Sequence, residues 1–284
     1  GGYMDLEKKI HATPRSMFRI ASMTKCFTAM AILKLRDEGK LRLDDLVKQY
    51  IPELQSVCLT IDAIAITIRD LLIHNAGFPT DNYWGDRQLE TTEEQFRRIL
   101  DETVSFSTPP GSGFEYSNLG YTLLGYIINK ITGVPYQKYI DVAICQPLGM
   151  TIYWEYADVP SSELVHGYRY DGDLPEKEPM LHDGIYGAMG GIITSIESYA
   201  RFVALHQEAW PSRDEIESGP MRRSSLREMH KAWNFIRLET DFKYSQEKEQ
   251  ALVSAYGYGL KWIRDSSGRI FLGHRGGLPG FGSN

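Results

Sequence analysis

The sequence predicts an α+β fold: an antiparallel sheet with helices packed on it, built from both ends of the chain, and a mainly helical region inserted between them. Three observations predict it. Cys26 to Leu35 is almost wholly apolar and reads as a helix inside the protein; the middle of the chain carries helix caps and Pro/Gly breaks at helical spacing; and the last third turns to short apolar runs parted by turn residues. The sheet region is placed at 1–60 and 186–284 and the helical region at 61–185.

A helix is expected over 23–38, starting at Ser22 and stopping at Gly39, with apolar residues around most of its circumference. Thr67-Ile68-Arg69-Asp70 has the capping-box pattern that opens a helix from Ile68 to Asn75, and Thr92 with Gln95 repeats it for a helix near 93–102. After the rigid turn Pro109-Pro110-Gly111-Ser112-Gly113, an apolar helix runs from Asn118 to Thr132 and ends at Gly133; Pro135 suits the first position of another, reaching about Ile144 before Pro147-Leu148-Gly149 breaks it. Gly190 to Thr194 reads as a short strand followed by a helix from Ser195 to about His206. Residues 208–249 are polar, with one helix opened by Ser225 and Glu228. Tyr256 to Arg264 and Arg269 to His274 read as a hairpin about Asp265-Ser266-Ser267-Gly268.

Composition excludes several classes of function. With 284 residues, 42% hydrophobic and 24% charged, the chain has the make-up of a globular protein. A formal charge of -6, with no basic run longer than Arg97-Arg98 or Arg222-Arg223, speaks against a surface that tracks phosphates, so nucleic acid is not an expected partner. The most apolar stretch is too short to span a bilayer and is interrupted by Lys34. Cys26, Cys58 and Cys145 are an odd number without C-x-x-C spacing and read as buried thiols. His11, His166, His182, His206 and His230 show no paired-ligand spacing, so neither metal nor cofactor is expected.

Three motifs carry chemistry. In Ser22-Met23-Thr24-Lys25, a serine and a lysine three apart at a helix start share a face, so the amine reaches the hydroxyl that needs activating. Tyr116-Ser117-Asn118, between a Pro/Gly turn and a helix, offers a phenol as a base and an amide to hold a carbonyl. His274-Arg275-Gly276-Gly277, at a strand end, puts a titratable ring and side-chain-free backbone beside whatever the strand lines. Each has a bland reading when taken singly: a capping serine with an exposed lysine, a capped helix beside a packed tyrosine, and a glycine turn. An S-x-x-K alone is expected about once by chance in a chain of this length. Three together, in this order, are not.

The order Ser/Lys, Tyr/Asn, His/Gly resembles the S-x-x-K, Y-x-N and K-T-G series of serine acyl-transfer enzymes, with His for Lys. The chain is similar to the class C β-lactamase family and its relatives, the low-molecular-weight penicillin-binding proteins, D-aminopeptidases and family VIII carboxylesterases. Non-catalytic stretches extend the likeness over nearly the whole chain: Phe18-Arg19-Ile20-Ala21, Asp70 to Gly77, Pro147-Leu148-Gly149-Met150, Gly190 to Ser195 and Gly276 to Phe281. The resemblance implies a β-lactamase/transpeptidase-like fold and a covalent acyl-enzyme on Ser22. Lys25 and Tyr116 would relay the proton, the backbone N–H groups of Ser22 and Gly277 would hold the oxyanion, and Asn118 would orient the substrate. His74 would be structural.

His274 in place of lysine weakens recognition of a substrate carboxylate, because histidine is largely neutral at pH 7; Arg275 is a replacement only if its side chain faces the site. Histidine here points toward esterase or peptidase relatives and away from true β-lactamases, with β-lactams as slow substrates or inhibitors. A penicillin-binding sensor with little turnover is the alternative. Pocket-lining candidates from loop position are Tyr83, Trp84 and Tyr186. The resemblance also favours an extracytoplasmic location. Family members carry further strands before and after this stretch, so the chain is expected to be truncated at both ends and completed by the rest of a longer protein.

Overall fold

The computed structural model describes residues 2–56, 62–102, 104–172, 174–243 and 249–284. Cys58 lies outside them. The first helix, α1 (Thr24–Asp37), has eleven of fourteen residues buried, which makes it an interior helix packed on all sides. Phe27 on α1 meets Phe202 at 4.7 Å between ring centroids. Each apolar side chain of this size is worth about 1.5–3 kcal/mol when fully buried. A one-turn 3₁₀ segment, Ala21–Met23, leads into α1, so Met23 stands at its N-cap and Ser22 caps nothing.

Between 62 and 150 the described elements are helical, and strands follow from Ile152. Thr67 and Asp70 close a reciprocal capping box on α2 (Ile68–Leu72), which ends three residues sooner than the sequence suggests. After α3 (Asn82–Gly85) comes α4 (Glu93–Glu102), opened by the matching Thr92–Gln95 pair. The apolar helix α5 (Asn118–Thr132) has the expected bounds, and Ser117 caps it through its hydroxyl. Pro135 precedes α6 (Tyr136–Ile140) as its N-cap, and the helix loosens into a π turn at Asp141–Cys145 and a 3₁₀ turn at Gln146–Leu148. Gly190 belongs to a helical turn, α7 (Gly187–Gly190), not to a strand. Ser195 then caps α8 (Ile196–Glu208). Helix α9 (Arg223–Met229) begins before Ser225, whose hydroxyl reaches Asp37 at 2.5 Å.

Strands β1 (Tyr3–Asp5) and β2 (Ile10–His11) pair with each other, β5 (Tyr168–Asp171) with β6 (Leu174–Lys177), and β3 (Phe18–Arg19), β7 (Ile193–Thr194) and β4 (Ile152–Tyr153) form a sheet in the order β3-β7-β4. The largest sheet is an antiparallel meander of β8 (Asn234–Phe242), β9 (Gln250–Tyr256), β10 (Lys261–Asp265) and β11 (Ile270–Gly273). The polar region 208–249 hides strand β8, and 256–264 is not one strand: Tyr256 closes β9, and a turn carries the chain into β10. That turn docks on α1, where a Cβ at Gly259 would stand 2.8 Å from the Lys25 carbonyl oxygen. The last pair, β12 (Gly276–Leu278) and β13 (Phe281–Ser283), packs against the 3₁₀ turn at Ser22, and the Ser283 hydroxyl donates to the Ile20 carbonyl at 2.7 Å. The turn at 20–23 thus packs against β12 and β13, while β1 and β2 pair with each other; the four strands of the largest sheet all come from 234–273. The α+β class stands. No helix among the described residues is long and apolar enough to cross a membrane.

Candidate active site

A cleft of about 490 Å³ opens where the 3₁₀ turn at Ser22, the segment at 82–86, the segment before α5 and strands β8, β9, β10 and β12 converge, and its walls include Ser22, Tyr116, His274, Gly276 and Gly277. Its shape depends on backbone. Ala21 holds φ at 50°, the left-handed region that residues with a Cβ seldom enter, and turns the chain sharply from β3 into the helix so that Ser22 meets the cleft. Gly276 lies so close beneath that a Cβ there would be 2.4 Å from the Ile20 carbonyl oxygen and 2.3 Å from the Ser283 hydroxyl; Gly277 faces open space.

Lys25 is completely buried. Its Nζ lies 3.1 Å from Ser22 Oγ, 2.8 Å from Asn118 Oδ1 and 2.9 Å from the Met189 carbonyl oxygen. Burial pushes the ammonium down to about 7, against the pull of Asp86 and Asp81. A neutral amine has two hydrogens and one lone pair. Asn118 Oδ1 and the Met189 carbonyl only accept, so they take the hydrogens and leave the lone pair for the Ser22 hydroxyl proton. The orientation of the Asn118 amide is fixed by the same reasoning: its Nδ2 faces the Asp86 carboxylate and Asn82 Oδ1, each at 3.3 Å. The capping-serine reading of the first motif therefore fails, because Ser22 caps no helix and Lys25 is not exposed.

Asn118 is itself fully buried, at the first turn of α5, where Asp81 accepts its backbone N–H at 2.7 Å and that of Leu119 at 3.0 Å. In this arrangement Asn118 holds the Lys25 amine. A hold on substrate requires Nδ2 to leave its two long contacts. Tyr116 shares the cleft wall with Ser22, and its ring lies 5.0 Å from Lys25 Nζ. Burial holds the phenol well above its usual value, so it remains protonated. Behind it, His74 is buried against the ring at 4.4 Å and accepts the Ser117 N–H through Nδ1, as a structural residue does.

His274 Nδ1 lies 2.6 Å from the Arg275 carbonyl and Nε2 lies 2.8 Å from the Tyr256 hydroxyl. A carbonyl only accepts, so Nδ1 carries the hydrogen and Nε2 accepts from Tyr256. Burial, then the Lys25 charge, push the imidazole down to about 3. It supplies no cation at neutral pH. Arg275 is among the residues lining the cleft, joined by Arg237 and Lys261 from β8 and β10; these last two, with Asp86, Asn82 and Tyr256, are residues the motifs did not reveal. Trp84 and Tyr186 line a different cavity with Phe78 and Leu119, and the side chain of Tyr83 lies outside those described. The two described cysteines are buried, and desolvation pushes the Cys26 thiol up to about 12, so it stays a thiol.

The family model described as Beta-lactamase matches residues 1–284. The chain belongs to that family. Protein flp of Staphylococcus aureus (strain COL) is 36% identical over 178 residues, which cover 61% of this chain and 35% of that protein, so the match spans about a third of the relative's length. The octameric penicillin-binding protein homologue from Pyrococcus abyssi superposes with a TM-score of 0.77 at 29% identity, over 97% of this chain and 60% of that one. A D-stereospecific amidohydrolase from Streptomyces sp. gives 0.69 at 26% identity, over 94% and 77%. The fold is therefore that of the β-lactamase and penicillin-binding protein family.

Proposed function

We propose that this chain is a serine hydrolase that forms an acyl-enzyme on Ser22 and acts on an ester, an amide or a D-amino-acid peptide bond. The observation that carries the reading is the buried Lys25 amine, brought to about 7 and bonded so that its lone pair meets the Ser22 hydroxyl. In the proposed reaction Ser22 Oγ attacks the carbonyl carbon while its proton passes to Lys25. The negative charge on the carbonyl oxygen falls to the N–H groups of Ser22 and Gly277. The leaving amine or alcohol takes a proton from the Tyr116 phenol, which Lys25 restores, and water then releases the acyl group by the same path. Similarity to the Streptomyces amidohydrolase supports an amide bond, and the uncharged His274 supports esterase or peptidase chemistry over a dedicated β-lactamase.

The test is intact mass after incubation with a penicillin and with a p-nitrophenyl ester, beside Ser22→Ala. A covalent adduct on the wild type alone, with ester turnover lost in the variant, is the expected result. An adduct that forms and never decays, without ester turnover, makes the chain a sensor. Equal turnover by Ser22→Ala refutes the nucleophile.

A further inference from the structure

The turn at 81–86 borders two cavities. Asn82 and Asp86 line the Ser22 cleft, whereas Asp81 and Trp84 line a second cavity of about 530 Å³, a volume typical of small-molecule sites. No described residue lines both. The wall between them is tight: a Cβ at Gly85 would stand 3.0 Å from Asn118 Nδ2 and 3.3 Å from Asp81 Oδ2. Phe78, Ser117 and Tyr186 are buried in the second cavity, and Thr80, Trp84 and Ser105 are exposed at it, so solvent reaches it. Asp81, Trp84 and Tyr186 follow one another in space: the Trp84 N–H donates to the Asp81 carbonyl at 3.1 Å, and the Trp84 and Tyr186 rings meet at 5.6 Å between centroids. Tyr186 is fully buried, and its hydroxyl has no hydrogen-bond partner among the described residues. Burial, and then the Asp81 charge, keep that phenol protonated. No lysine, arginine or histidine lines the cavity, and Asp81 is its one carboxylate. The Asp81 oxygens accept the N–H groups of Asn118 at 2.7 Å and Leu119 at 3.0 Å, which fill two of about four acceptor positions.

A buried hydroxyl without a partner and a carboxylate with acceptor positions to spare are both stabilised by an N–H donor, and the carboxylate most by a charged one. Indole and phenol rings attract the same charge, and the carboxylate repels anions. We propose that this cavity is a second binding site, for a small organic ammonium with an apolar tail, its N–H groups on the Asp81 carboxylate and the Tyr186 hydroxyl and its tail against Phe78, Trp84 and Leu119. The site is independent of whether Ser22 is acylated. It gives Trp84 and Tyr186, which the sequence suggests as lining for the substrate pocket, a ligand of their own outside that pocket.

The test is titration calorimetry of the chain with 2-phenylethylammonium, beside the neutral 2-phenylethanol and the anion phenylacetate. One saturable site is expected, with the ammonium at least about tenfold tighter than the alcohol, the equivalent of 1.4 kcal/mol, and phenylacetate weaker than either. Tyr186→Phe keeps the ring and removes the hydroxyl, and should weaken the ammonium about tenfold. Trp84→Ala should weaken it at least about fivefold. Asp86→Asn and Ser22→Ala, on the walls of the other cavity, should leave it within about threefold of wild type. Thermal unfolding checks that each variant is folded; if Tyr186→Phe is not, Trp84→Ala decides, since that residue is 45% exposed and its loss opens no core. Equal affinity for ammonium and alcohol, no saturation below about 10 mM ammonium, or binding kept in Trp84→Ala and lost in Asp86→Asn, which assigns the amine to the Ser22 cleft, each overturns the inference and leaves the hydrolase reading standing. Loss of acylation at Ser22 with ammonium binding intact removes the hydrolase reading alone.

Discussion

At the scale of single residues the proposed chemistry turns on the protonation of Lys25. An amine in water stays charged until about pH 10.4 and cannot accept the serine proton at neutral pH; burial without a paired carboxylate in contact brings this one to about 7. If Lys25 is the base, kcat/KM for an uncharged ester should rise about tenfold per pH unit below that value and level off above it. Tyr116 stays a phenol and His274 an uncharged imidazole across that range, so neither adds an inflection. Lys25→Arg, always charged, is expected to lose about 10²–10⁴-fold at every pH. A profile flat from pH 5 to 9 would show that the base is another group. The Ser22–Lys25 pairing was legible because it is local, a serine and a lysine one helical turn apart. Asp86, Arg237 and Lys261 were not, since nothing in segments 64 to 239 residues beyond Ser22 announces that they share its cleft.

At the scale of elements, the contact between β12 and the 3₁₀ turn sets the oxyanion geometry proposed above. Gly276 has no room for a methyl group, with Ile20 and Ser283 at 2.4 and 2.3 Å from its would-be Cβ, whereas the space beyond Gly277 is open. Gly276→Ala must push β12 away from Ser22, so acylation by the ester is expected to fall about 10²–10³-fold, the worth of one oxyanion donor. Gly277→Ala should stay within a few-fold of wild type. Equal effects of the two substitutions, measured by stopped-flow acylation, would mean that β12 does not supply that donor. Helices were the readable elements because their ends are marked by local side-chain hydrogen bonds: Thr67 with Asp70, Thr92 with Gln95, Ser117 and Ser195. Strands carry no such mark when their faces do not alternate. The polar, largely exposed β8 lacks a clean two-residue period, and the last residues of β9 are buried on both faces, which hid the break at Gly257.

For the whole molecule, buried imidazoles make folding sensitive to acid. His230 accepts the Trp210 indole N–H at Nδ1, which makes its Nε2–H the donor to His206 Nδ1 at 2.8 Å. Burial pushes His206 down to about 3 and His230 to about 4. The unfolded chain takes up protons on both near pH 6.5 and the folded one does not, so their contribution is full above 6.5 and is lost progressively as pH falls toward 4. Two carboxyls oppose this: Asp183, raised to about 7, and Asp86, raised to about 6, bind protons more readily when folded and favour the native state as pH falls below those values. Because the opposing terms overlap, a wild-type profile alone cannot assign the slope; a double variant, His206→Leu with His230→Leu, removes the imidazole pair and leaves both carboxyls. The variant loses two hydrogen bonds, that between the imidazoles and that from the Trp210 indole, and starts from lower stability, yet its urea midpoint should fall less between pH 7 and 4.5 than that of the wild type. Parallel profiles would mean that the pair is as easily protonated in the folded protein as in the unfolded chain, and acid sensitivity would then rest on the other desolvated imidazoles, His74 and His274.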